Sequence, residues 1–162
     1  MRGYRMTAFN GGEEPVAKEL WLYDYDNSSE YASLWSPTVP RISVSQPGAS
    51  SSWNSYGTSL INFKNISKYK YCHIIGSTSG KTPYGSANSA SIWLSNSANQ
   101  NVKTLYSRGS IDGSTSAINI TIDISSITED IKINCSVGAQ CGSTGNSAWS
   151  RLDLTKLWFA NE

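Results

Sequence analysis

The chain has 162 residues, 38% hydrophobic and 15% charged, which suits one domain with its own core. Thirteen Lys+Arg against twelve Asp+Glu leave a net charge of +1, which argues against a nucleic-acid binder and leaves no polybasic tail. A single histidine excludes any metal site or triad that needs several.

The polar share is 29 Ser, 13 Asn, 13 Gly and 11 Thr, residues that favour turns, loops and strand faces over helix interiors. Residues 1–17 are polar, with Gly11-Gly12 and Pro15, and read as an N-terminal arm ahead of a single domain over 18–162. In Lys18–Tyr25, Leu20 and Leu22 alternate with Trp21, Tyr23 and Tyr25, a strand apolar on both faces. Asp26-Asn27-Ser28-Ser29 supplies a turn, and 30–35 is one helical turn or loop. Pro37, Pro40 and Pro47 confine Thr38–Ser45 to a sheet edge, because proline cannot donate to a ladder.

Strand signals then follow at short intervals. Ser59–Phe63 is a short apolar run, and Tyr69–Ile75 alternates Tyr69, Tyr71, His73 and Ile75 against Lys70, Cys72 and Ile74. Gly76–Asn88 reads as a long Ser/Gly/Thr loop carrying Pro83 and Tyr84. Ala90–Ser95 sets Trp93 opposite Ile92 and Leu94, Val102–Tyr106 is another strand, and Ser107–Thr115 is a hairpin-like connection. Ile118, Ile120, Ile122 and Ile124 alternate with polar residues in a strict period of two. Ile131, Ile133, Cys135 and Val137 repeat the pattern. Gly138–Ser150 reads as a second long loop ending in Trp149, and Leu152–Phe159 closes the chain as a strand. Short strands with turn-rich spacing predict an all-β antiparallel sandwich or barrel.

Cys72, Cys135 and Cys141 are an odd number without a C-x-x-C pair, and reduced thiols are expected; Cys135–Cys141 could still close a short loop. Arg2 and Arg5 precede no apolar stretch, so no secretory signal is read, and no run approaches the ~18 apolar residues of a membrane helix.

From Ser59 onward the order of motifs is familiar. Ile122-Asp123-Ile124-Ser125, then Ile131–Gly138, then Leu154-Thr155-Lys156-Leu157-Trp158 resemble the galactose-binding-like jelly rolls of phage and prophage tail and virion proteins. The resemblance covers about two thirds of the chain. It implies a jelly roll of eight or nine strands with variable loops at one end, in a virion or extracellular setting. No family residue transfers position by position.

Catalysis finds little support in the residues. His73 sits in mid-strand, and no G-x-S-x-G motif occurs. Ser79-Gly80-Lys81-Thr82 lacks the first glycine of a phosphate loop. Asp24, Asp26, Asp112, Glu129 and Asp130 read as solvated turn acids, although a paired-carboxylate hydrolase using Asp24 or Glu129 is a third hypothesis. Asp24 and Asp26 are also the only acids placed for a calcium ion, yet no metal site is assigned. No catalytic residue and no cofactor is expected.

Recognition is the better prospect, because sugar rings stack on aromatics while their hydroxyls need directional polar partners. Six Trp and nine Tyr stand against three Phe. Trp53, Tyr56, Tyr84 and Trp149, with Asn146 and Arg108, fall in loops or at loop edges and form the candidate ligand site. Trp21, Trp35, Trp93 and Trp158 read as core or lid residues. The leading expectation is a non-enzymatic phage virion protein binding host-surface carbohydrate. The alternative is a structural virion component, a capsid decoration or tail subunit, whose partner is a neighbouring virion protein. Neither involves nucleic acid or membrane insertion, and both leave room for a homo-oligomer.

Overall fold

The computed structural model describes residues 19–24, 41–48, 52–59, 64–113, 115–142, 144 and 146–162. The predicted arm 1–17, with Asp26, Asn27 and Trp35, lies outside them. Among the described residues ten strands follow in order: β1 (Glu19–Asp24), β2 (Arg41–Pro47), β3 (Asn54–Ser59), β4 (Lys64–Asn65), β5 (Tyr71–Lys81), β6 (Ala87–Ser95), β7 (Asn101–Gly109), β8 (Ser116–Asp123), β9 (Asp130–Gln140) and β10 (Ser147–Ala160). All pairings are antiparallel.

β5 lies along one edge of β10, while β1 and β2 share its other edge, β1 on the later half and β2 on the earlier half. In the same way β3 and β4 share one edge of β9. Ten strands therefore make eight rows, four in each sheet. The first sheet runs β1/β2–β10–β5–β8, and the second runs β3/β4–β9–β6–β7. Numbering the rows along the chain, the first pairs with the eighth, the second with the seventh, the third with the sixth and the fourth with the fifth. That is one long hairpin rolled into a two-sheet sandwich, the jelly roll. The edge position expected for the proline-flanked segment is where β2 sits.

Period-two alternation puts the core between the sheets. Cys72 and Ile74 of β5, Ile92 and Leu94 of β6, Ile131, Ile133 and Cys135 of β9, and Leu157 and Phe159 of β10 are all buried. Each such aliphatic or aromatic side chain contributes roughly 1.5–3 kcal/mol on leaving water. Trp93 and Trp158 lie outside the core, because they fall on outward positions of their strands.

Both long loops expected from the Ser/Gly-rich stretches are mostly strand. β5 runs to Lys81 and β6 starts at Ala87, leaving a turn over 82–86. β9 runs to Gln140 and β10 starts at Ser147. The composition that looks like loop serves close backbone approach instead. A side chain at Gly76 would overlap the carbonyl oxygen of Asp153, where β10 carries a bulge between Leu154 and Lys156. At Gly80 a Cβ would stand 2.5 Å from the Asn88 amide nitrogen and 2.8 Å from the Trp149 carbonyl oxygen.

Extension of β9 also decides the cysteine question. Cys135 and Cys141 lie six positions apart along one extended segment, about 20 Å at 3.3 Å per residue, far beyond disulfide reach. Cys72, Cys135 and Cys141 are all buried thiols. Burial pushes Cys72 upward and Cys135 up to about 12, the latter slightly offset by a backbone hydrogen bond from Thr58.

Candidate functional site

The rolled topology gathers the β2–β3, β5–β6, β7–β8 and β9–β10 connections at one end of the sandwich, and hydrogen bonds tie them together. The Gly48 amide donates to the Asn146 carbonyl at 2.9 Å, and the Gly142 amide to the Ser86 hydroxyl at 3.1 Å. The Gly113 amide donates to the Gly80 carbonyl at 3.0 Å. Beneath them Asn88, 3% exposed, is the main brace. Its amide donates to the carbonyls of Ile111 (2.7 Å) and Trp149 (2.8 Å), and its oxygen accepts from the Ile111 amide (2.6 Å). Asn88 therefore belongs to the framework and not to the loop surface beside Tyr84 where its sequence context placed it.

Three of the candidate ligand residues lie at this end. Trp53 is 47% exposed, its indole resting on Gly138, whose missing side chain makes the seat. Tyr84 is almost fully exposed, on a turn closed by the Ser86 amide and the Pro83 carbonyl at 2.8 Å. Asn146 is exposed as well. Tyr56, half exposed, lies farther along β3 opposite Val137.

The other two are elsewhere. Arg108 lies on β7 opposite Ala90, and its guanidinium reaches between the sheets to the Thr78 hydroxyl at 3.5 Å, which also meets the Tyr106 hydroxyl at 3.1 Å. Trp149 is not at a loop edge: β10 begins two residues earlier, and the residue alternates with buried Ala148 and Ser150 onto the outer sheet face.

That outer face of the first sheet carries groups the sequence did not single out. Arg41 of β2 and Arg151 of β10 both donate through Nε to the Asp153 carboxylate, at 2.5 and 2.6 Å. Alternation along β10 from Trp149 through Arg151 to Asp153 was the available signal; the partner on β2 needed the register. Farther along, His73 stacks on Trp158, ring centroids 4.7 Å apart and planes 9° off parallel. Its Nε2 meets the Glu162 main-chain oxygen at 3.1 Å, and its Nδ1 meets the Thr121 hydroxyl at 3.0 Å. A main-chain oxygen only accepts, so Nε2 donates to it, and in the neutral ring Nδ1 then accepts from the Thr121 hydroxyl. At the end of β8, the hydroxyl and amide of Ser125 hold the Asp123 carboxyl below its ordinary value of 3.8.

The outer face of the second sheet is plainer. Trp93 lies beside its cross-strand partner Asn134 at a cavity of about 210 Å³, lined also by Gly57, Thr58 and Cys135. Among the described residues no cluster of metal-ligating side chains occurs, and no helix is long and apolar enough to cross a membrane.

No family model matches the sequence, and no curated protein does. Solved structures do resemble the fold. The subviral particle of infectious bursal disease virus VP2 aligns over 75% of this chain and 33% of that one, at 17% identity and a TM-score of 0.44. T=1 particles derived from the same virus align over 75% and 32%, at 16% identity and 0.43, and its Gx strain over 87% and 30%, at 15% and 0.40. This chain spans about a third of the length of those structures.

Proposed function

We propose that this chain is a structural jelly-roll module of a virus particle, held in place by neighbouring protein subunits. The observation that carries the reading is the eight-row roll itself, an architecture that recurs in virus shells and lectins. The finer assignment to a phage tail or capsid decoration rests on the resemblance of Ile122–Ser125, Ile131–Gly138 and Leu154–Trp158 to such domains. Binding and not turnover is the expected mode of action. The lone histidine supports this, because both its ring nitrogens are engaged within the fold. The test is incorporation: the tagged chain is co-expressed with the particle, and purified particles are assayed for it. Stoichiometric incorporation, lost on deletion of residues 1–17, is expected. A chain that stays monomeric by light scattering and never enters particles would overturn the reading.

A second reading, attachment to host-surface carbohydrate, is favoured by the exposure of Trp53, Tyr84 and Asn146 at the same end of the sandwich. Glycan-array binding that disappears in Trp53→Ala with folding intact supports it. Binding unchanged in that variant rejects the loop-end site.

A further inference from the structure

On the outer face of the first sheet, Trp149, Arg151 and Asp153 occupy successive outward positions of β10. Register places Lys81 of β5 beside Trp149 and Arg41 of β2 beside Asp153. The flanking positions, Ser43 and Ser45 on β2 and Ser77 on β5, carry small hydroxyls. We propose that this lattice binds an acidic saccharide, the indole beneath a sugar ring and the cations on its carboxylate or phosphate.

Charge sets the sign of the ligand. Two guanidiniums, Arg41 and Arg151, share one carboxylate, Asp153, which leaves that cluster one positive charge, and Lys81 lies opposite Trp149, four residues along β10 from Asp153. Geometry sets its shape. Both arginines spend only Nε on Asp153, and among the described residues their terminal nitrogens have no partner. Their side chains are 52% and 36% exposed, while Asp153 between them is 22% exposed. The carboxylate thus braces two guanidinium forks from below and leaves their outer edges open, the arrangement that suits bidentate capture of carboxylate or phosphate. Trp149 stands two residues from Arg151 on the same face, about 7 Å along the strand. An indole at that distance and Lys81 across the ladder favour a ring carrying its acid over a bare anion. This site is independent of the particle reading, and it assigns Trp149 to the sheet face instead of the loop end.

The test is calorimetric titration of the intact chain with a hexuronic acid trisaccharide, a hexose phosphate and a neutral trisaccharide. At least one acid-bearing probe should bind, with affinity falling as salt rises, and the neutral probe should bind about tenfold more weakly or not at all. Whichever acid-bearing probe binds tells carboxylate from phosphate. Arg41→Gln, Arg151→Gln and Trp149→Ala should each lose about tenfold or more, the usual cost of removing a charge-assisted bond or a stacking ring. Arg151→Lys keeps the charge without the fork and should still lose most of the affinity, so a folding defect in the glutamine variant would not hide the result. Asp153→Asn makes the patch more positive yet should bind more weakly, because the forks lose their brace. Stronger binding by Asp153→Asn would reveal mere charge attraction and overturn the site. So would equal binding of the neutral probe, no binding of either acidic probe, or equal binding of an acidic peptide.

Discussion

Replacement of Asn88 by alanine removes the brace beneath the loop end. The side chain makes three short hydrogen bonds, two to Ile111 and one to Trp149. Ile111 is fully buried, so its amide and carbonyl would be left without partners at about 1–3 kcal/mol each. The Trp149 carbonyl is only part-buried and adds less. The sum is about 3–5 kcal/mol, a large share of the ~5–15 kcal/mol that holds a domain of this kind folded. In urea, with a slope of about 2 kcal/mol/M, the midpoint should fall by roughly 2 M at constant slope. Asn88→Asp keeps an acceptor for the Ile111 amide but turns a carboxylate toward two carbonyl oxygens, so it should be at least as damaging. A loss below about 1 kcal/mol in the alanine variant would refute the reasoning, since it would mean that the Ile111 groups are satisfied without Asn88.

Two further outcomes follow from the packing. Gly76→Ala should cost about 2–3 kcal/mol in thermal unfolding, because the added carbon meets the Asp153 backbone, whereas Gly57→Ala, with contacts of 3.4 Å, should stay within about 1 kcal/mol; equal effects would sink the argument. The buried thiols make stability depend on alkaline pH. Their folded values lie above the unfolded one, so their contribution is intact below the ordinary value of 9.0 and is lost as pH climbs from there toward 12. Chemical unfolding between pH 7 and 10.5 should show a decline that is shallower in Cys72→Ala/Cys135→Ala; identical slopes would contradict it.

Strands whose apolar side chains alternate were readable directly. Ile131, Ile133, Cys135 and Val137 declare β9, and Ile118 to Ile124 declare β8, since inward positions had to be apolar and outward ones polar. β5 beyond Gly76 was not readable, because its inward positions are Thr78, whose buried hydroxyl bonds Tyr106 and Arg108, and Gly80, which allows close backbone approach, so neither is an apolar marker. Trp93 was legible as facing away from Ile92 and Leu94, whereas Trp158 misled, because large rings usually mark a core and this one stacks on His73 on the sheet exterior. The loop-end residues Trp53, Tyr84 and Asn146 were legible from turn chemistry. The Arg41–Asp153–Arg151 brace was not, because residues 112 positions apart become neighbours only through register.

The rolled hairpin has a kinetic consequence. β10 is made after the nine other described strands, yet it sits inside its sheet, paired with β1, β2 and β5. Until it arrives, the first sheet has no interior strand, and β5 presents an open edge. Closure joins the first and last rows of the roll, so all pairing except the β6–β7 hairpin is distant in sequence and little beyond that hairpin can be won early. Such a chain should fold slowly, on the millisecond-to-second scale of all-β domains, and pass through a state with exposed strand edges. A nascent chain stalled before Ser147 is then the species most prone to aggregate, and the serine and lysine side chains along β5 are what keep that edge soluble in the meantime.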